Sequence, residues 1–437
     1  MPKRVLLLAT TTGYQTRAFG EAAERLGVEL VFATDRCDHL DDPWRDAAIP
    51  IRFYDEDASV AAILEAGRID GILAVGDRPT VIAARVAQTL GLPGHPPDAA
   101  AIAQDKQRMR ECLRDAGLPV PWFVPFTIDQ SPQPSALSHD LWPYPCVLKP
   151  VALSGSRGVM RADDDASFAA ALDRLRALMT LPELRAERND AHTRALVEGF
   201  IPGREFAVEG LLHHGTFHVL AIFDKPDPLD GPFFEETLYV TPSSAGAAAQ
   251  SAIVGGVRRA ADAIGLRHGP VHAEVRVNPS TRSGQAPAVC VLEVAARPIG
   301  GLCARALRFG RAAMSLEELL LRHALGESPD AWRREESASG VMMIPIPRRG
   351  VLRRVEGMDE ARAVAGVEDV RITAKIDQRL VPLPEGASYL GFVFARAADP
   401  RDVEAALRAA HARLRFAIDP ELPVLAAAQV HYNHEHG

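Results

Sequence analysis

VHAEVRVN at residues 271–278 and VCVLEVAAR at residues 289–297 decide how this chain is read. In the first run Val271, Ala273, Val275 and Val277 are apolar, and His272, Glu274 and Arg276 lie between them. Side chains alternate across a strand, so these three share one face. In the second run Val291, Glu293, Ala295 and Arg297 share a face, with Leu292 and Val294 pointing the other way. The link between them, NPSTRSGQAP at residues 278–287, is turn chemistry. Two antiparallel strands would then each place a carboxylate on the same sheet face. Opposed carboxylates repel, so a cation between them is the functional reading. Hard oxygen ligands close to phosphate suit Mg2+. Two solvated glutamates on an exposed hairpin are the alternative, and the choice rests on what lies upstream.

The bounds are those of an ordinary globular chain. Its 437 residues allow roughly two to four domains and large cores. Composition is 47% hydrophobic and 24% charged, which argues against disorder. The net charge of -8 implies no general affinity for nucleic acid or anionic membranes. Cys37, Cys112, Cys146, Cys290 and Cys303 are scattered, without a CxxC, which argues against structural zinc and fits a reducing cytosol. The opening MPKRVLLLATTTGY reads as a first strand; its apolar run is short for a signal peptide. No stretch approaches the roughly 18 apolar residues of a membrane span.

Taken in order, residues 5–9, 28–33 and 69–75 read as strands separated by helical spacing at Phe19, Ala22, Ala23 and Leu26, then at Val60, Ile63 and Leu64. That alternation predicts a parallel α/β sheet. The turn at residues 10–13 lacks GxGxxG, so a nicotinamide cofactor has little support. GLPGHPPD at residues 91–98 marks a boundary. Lys106 then opens a helix. CVLK is a buried strand ending on Lys149, and SGSRG at residues 154–158 is a small-residue loop. A strand-end lysine before such a loop suits polyphosphate, although a flexible hairpin loop is an equal alternative. It is not a P-loop. VEGFIPGREF places Glu198 at a strand end and Glu205 on the next strand, where Glu209 shares its face. His213, His214 and His218 look like a metal cluster, but the HHG turn favours solvated histidines. Glu235 and Glu236 sit among aromatic and β-branched residues, as in a strand that faces solvent or lines a site. His323 reads as a core or surface residue on a helix. From Ser337 onward several strand runs and a closing helix predict an α+β unit.

Together these segments resemble the ATP-grasp superfamily. The residues that carry the likeness are QDK at 104–106, VLKP at 147–150 with SGSRGV after it, VEGFIPGREF at 197–206, and HAE with LEVAAR in the hairpin. EETLYVTPS, EVAARPIGG and the last α+β unit make it most similar to the L-amino acid ligases. The resemblance implies a multidomain α/β and α+β chain: a Rossmann-like pre-ATP-grasp domain over 1–97, a two-lobed ATP-grasp domain over 98–334, and a C-terminal domain over 335–437. It implies that Lys106 and Lys149 hold ATP phosphates under a loop containing Ser154, Gly155, Ser156 and Gly158. Glu198, Phe200 and Ile201 would meet adenine through backbone groups, and Glu205 the ribose. Glu274 and Glu293 would hold Mg2+, or Mn2+ in its place. Arg297 would be catalytic, and Glu236, His272 and Gly301 would bind substrate. Many ATP-grasp enzymes carry Glu-x-Asn at the second metal position. Ala295 stands here instead, which amino acid ligases tolerate.

The implied activity is ATP-dependent joining of a carboxylate to an amine, with an acyl phosphate between. The partners implied are ATP and small substrates in the cytoplasm, with no nucleic acid or membrane and with a homodimer left open. Other acyl-phosphate chemistry, on a nucleotide precursor or in carboxylation, is the nearest rival. A nucleotide-binding regulator without catalysis is a rival from another class, but it would have no need of Arg297.

Overall fold

The computed structural model describes residues 2–10, 15–35, 48–128, 143–278 and 288–421. Residues 11–13 of the first turn, Cys37, most of the 278–287 link and the last sixteen residues of the C-terminal unit lie outside these.

The N-terminal unit is a parallel sheet in the order Ile49–Pro50, Glu29–Thr34, Arg4–Ala9, Gly71–Val75. Its central strand is apolar on both faces because both are covered, as parallel sheets require. Leu6 and Leu8 pack with Ile63, Ile82 and Val86 on one side. Val5, Leu7 and Ala9 pack with Phe19 and Ala22 on the other. Helix Gln15–Leu26 carries the spacing that the sequence showed.

Residue 95, inside GLPGHPPD, is not part of a loose linker. His95 is buried, accepts a hydrogen bond at Nδ1 from the Arg267 backbone N–H (3.2 Å), and lies 3.2 Å from the Pro270 carbonyl through Nε2. That pairing requires a neutral ring with its proton on Nε2. Gly269 permits the approach: a Cβ there would come within 3.0 Å of His95 Nε2, and its φ is +137°. Burial depresses the His95 pKa to about 4. The unfolded chain therefore takes this proton first, near pH 6.5. Its contribution to stability is complete above pH 6.5 and is lost as pH falls toward 4. The full loss is about 3 kcal/mol. Thermal melts from pH 7 to pH 4.5 should show a falling midpoint, with a shallower slope in His95→Gln. Equal slopes would remove His95 from the acid response.

Helix Lys106–Asp115 starts at Asp105, whose carboxylate accepts from the Arg108 N–H. A four-stranded antiparallel sheet follows, in the order Phe123–Thr127, Arg194–Gly199, Cys146–Pro150, Met160–Ala162. Helix Asp165–Met179 covers one face of it.

The largest sheet has eight strands: Ala288–Ala295, Gly269–Asn278, Arg204–His213, Thr216–Asp224, Leu238–Thr241, Ala338–Ile344, Gly391–Ala397, Val367–Ile372. Helix Ala247–Ile264 packs behind the first hairpin. The last three strands come from the segment expected to form its own α+β unit. They also continue the central sheet, because Leu238–Thr241 offers an edge to Ala338–Ile344 in antiparallel register. No described helix is long and apolar enough to cross a membrane. Cys112, Cys146, Cys290 and Cys303 are free thiols.

Candidate active site

One cavity lies between the small and large sheets, and nearly every residue singled out from the sequence reaches it. Glu274 and Glu293 are direct partners in the antiparallel ladder. One expectation fails here. The register slips between Glu274 and Val275, so that Val275 pairs with Val291 and Leu292 is extra. A bulge re-aims side chains, and Leu292 lines the cavity beside Glu293 rather than facing the core.

Like charges opposed across a ladder need compensation. Lys225 supplies it, and the sequence reading overlooked it. This buried lysine bonds Glu205 at 2.8 Å, lies 3.3 Å from Glu274, and makes a short contact to Glu236. Lys106 lies 3.6 Å from Glu293 and donates to the Leu153 carbonyl at 2.7 Å. Burial works against the Glu274 charge, but Lys225 and His272 hold its pKa well below the usual range. Burial and the neighbouring Glu274 push Glu236 up to about 7, although Lys225 opposes them. Carboxylate oxygens of Glu205, Glu236 and Glu274 lie within 4.8 Å of one another. Lys225 already fills the middle of that cluster, so the hard oxygen donors left to suit a divalent cation such as Mg2+ are those of the opposed pair Glu274 and Glu293. Lys225 was legible in principle: VLAIFDK, like CVLK, is an apolar strand followed closely by lysine.

Lys149 is also buried and paired. It donates to Glu198, whose carboxylate takes two further bonds from Arg110, at 2.8 and 3.2 Å. Arg110 is 1% exposed and also donates to the Val291 carbonyl. Burial lowers the Lys149 pKa to about 8 against the pull of Glu198. Burial raises Glu198, but Arg110 and Lys149 more than reverse this and hold it at about 2. Arg110 escaped notice because KQRMRECLRD reads as a solvated helix. Its neighbours Met109 and Leu113 on the buried face were the available signal.

The segment expected to meet a purine is already partly engaged. The Gly199 N–H donates to the Trp122 carbonyl, and the Phe200 N–H to the Pro145 carbonyl. Arg276 donates to the Ile201 carbonyl at 2.7 Å and to Glu205 at 2.9 Å. It also stacks 5.0 Å from the Phe200 ring.

Arg297 is gripped by Asp77, a residue of the N-terminal unit, through Nε at 2.8 Å and Nη2 at 3.1 Å. A third N–H donates to the Pro298 carbonyl. Burial opposes the Asp77 charge, but Arg297 holds its pKa below the usual carboxylate range. Asp77 follows the strand Gly71–Val75, and the carboxyl ends of parallel strands are where ligands meet such sheets. That rule was the missed signal. His272 is held by Glu209 at 3.0 Å, with Glu274 3.8 Å from its other nitrogen. Burial disfavours the His272 charge, yet Glu209 and Glu274 raise its pKa to about 9. Glu209 is fully buried and accepts from the Ile299 N–H. It thereby fixes the PIGG turn. Gly301 has φ +63°, and a Cβ there would meet Phe392 at 3.2 Å.

Gly155, Ser156 and Gly158 in the small-residue loop, and Leu153 just before it, have positive φ. The loop is tied to the C-terminal unit: the Gly158 N–H donates to the Pro384 carbonyl at 2.8 Å, and Arg157 to the Glu385 carbonyl at 2.9 Å. Met343 and Tyr389 bring that unit into the cavity wall.

Comparison with known proteins fits this arrangement. The chain matches the ATP-grasp N-terminal domain over residues 20–94, the ATP-grasp domain over 142–306, and the L-amino acid ligase C-terminal domain 2 over 342–419. The structure superposes on an L-amino acid ligase from Bacillus licheniformis with TM-score 0.78 and 27% identity, covering 95% of this chain and 99% of that one. The uncharacterized protein y4rH of Sinorhizobium fredii is 24% identical over 96% of this chain and 84% of its own length. The alanine–anticapsin ligase of Bacillus subtilis is 26% identical over 50% of this chain. That match spans 46% of the Bacillus subtilis enzyme, less than half its length.

Proposed function

The chain is an ATP-grasp protein most like the L-amino acid ligases, and from that premise we propose that it joins two amino acids through an amide bond, using ATP. One observation carries the proposal. Lys106, Lys149 and Arg297 converge on the cavity that also holds the opposed pair Glu274 and Glu293. Cations for a polyphosphate, oxygens for its metal, and an arginine beside them are what phosphorylation of a carboxylate requires.

A carboxylate is a poor electrophile, and a phosphoryl group gives it a good leaving group. In this reading Lys106 and Lys149 hold the phosphate tail, and the loop at residues 154–158 excludes water from the acyl phosphate. Glu274 and Glu293 would hold Mg2+. The ion would neutralise phosphoryl charge. Arginine has five N–H groups, and Asp77 and Pro298 occupy three of those of Arg297. The other two have no partner among the described residues and would stabilise the oxyanion that forms when the amine attacks. Glu236, pushed up to about 7, is suited to receive the ammonium and take its proton near neutral pH. Lys225 already pairs with Glu236, so the incoming ammonium must share that carboxylate. The setting proposed is the cytoplasm.

A phosphate-release screen over amino acid pairs, with mass spectrometry of the products, tests this. The expected result is a dipeptide mass that appears only when ATP, Mg2+ and both partners are present. Phosphate release with bicarbonate alone would move the protein to carboxylation chemistry.

A further inference from the structure

At the far end of the central sheet, three histidines from separate elements meet. His213 ends the strand Arg204–His213, His268 precedes the strand Gly269–Asn278, and His323 lies in the last turn of helix Leu316–Ala324. His213 does not lie in the solvent, as its HHG turn suggested. It is half-buried, with its Nδ1 3.2 Å from His323 Nε2. His268 and His323 are buried and stacked, ring centres 4.2 Å apart. One nitrogen from each of the three lies within 4.8 Å of the others. Leu212 pairs with Gly269 at this end and Glu205 with Arg276 at the other. Seven residues of strand, roughly 20 Å, thus separate the cluster from the carboxylates.

We propose that His213, His268 and His323 form a second metal site, for a borderline divalent ion such as Zn2+ or Co2+, which clips the hairpin turn to helix Leu316–Ala324. Imidazole nitrogens select such ions over Mg2+. In a tetrahedral site with Zn–N distances of about 2.0–2.1 Å, neighbouring ligand atoms lie about 3.3 Å apart. The His213–His323 separation, a hydrogen bond in the ion-free protein, already has that length, so an ion would take the place of its proton; the His268 ring, stacked on His323, must turn to bring a lone pair to the same point. Metal binding also needs neutral rings. Burial depresses all three pKa values, to about 4 for His268 and about 3 for His323. The His214 N–H donates to His268 Nδ1 at 3.4 Å, a long bond that an ion at this nitrogen would replace. His95 is excluded as a ligand because both its nitrogens are engaged with backbone. The partial exposure of His213 leaves one side open for the ion and a water.

The test is titration of EDTA-stripped full-length protein with Co2+ in excess Mg2+, followed by visible absorption and melting temperature. Excess Mg2+ occupies the carboxylates. The expected result is one equivalent bound with tetrahedral-type bands, displaced by Zn2+, and a raised melting temperature. His213→Ala should weaken binding roughly tenfold or more, and His268→Gln likewise. Circular dichroism of each stripped variant checks its fold. Replacing His431, His434 and His436 together by alanine should change nothing. The proposal falls if no Co2+ is bound, if binding survives in folded His213→Ala, or if the triple variant abolishes it.

Discussion

Glu293→Gln should cut turnover by about 100-fold or more, ~3 kcal/mol, while the protein melts as before. Glu293 faces Glu274 directly, and both open onto the cavity. The amide keeps the shape and removes the charge. If the pair were only tolerated, neutralising one member would relieve repulsion and leave activity intact. If it holds a cation against phosphate, the loss falls on the step in which phosphoryl charge develops. The variant should therefore lose both dipeptide formation and amine-independent phosphate release. Raising Mg2+ should restore part of the rate, because the remaining carboxylates still offer oxygens. Near-normal turnover in a folded variant would remove the metal assignment.

Arg297→Ala should lower kcat by about 100-fold and leave ATP affinity within about threefold, since the proposed role of this arginine is to serve an oxyanion rather than the nucleotide. Asp77 divides that role from a structural one. It holds Arg297 in place through two hydrogen bonds from another part of the chain. Asp77→Asn keeps one acceptor and should lower kcat far less than Arg297→Ala. Isothermal titration with ATP, beside steady-state kinetics, separates the two readouts. A collapse of ATP affinity in Arg297→Ala would reassign the residue to the phosphate tail.

The legibility of the site followed sequence distance. HAEVRVN and CVLK could be read because alternation and strand ends are local signals. Glu274, Glu293, Lys149 and Arg297 were found that way. Lys225, Arg110 and Asp77, which pair with charges of the site, were not. Arg110 meets Glu198 across 88 residues of chain, and Asp77 meets Arg297 across 220. A buried charge looks solvated until its partner is known. Leu292 was misplaced for a different reason. The bulge belongs to the pairing of two strands and leaves no mark on either alone. The C-terminal strands show the same limit at larger scale: GVMMI is a plain apolar run, and only the free edge of Leu238–Thr241 decides which sheet it joins.

The central claim is an acyl phosphate, and the spent nucleotide reports on it most directly. In the proposed reading the lysines and the small-residue loop hold the phosphate tail, so the bond broken should be the one to the terminal phosphoryl group. Once a productive amino acid pair is in hand, chromatography of the nucleotides should show ADP, with orthophosphate equal to dipeptide. With the acid partner alone, hydroxylamine should trap a hydroxamate. AMP with pyrophosphate as the main products would mean that the carboxylate attacks the α-phosphate, and would contradict the account.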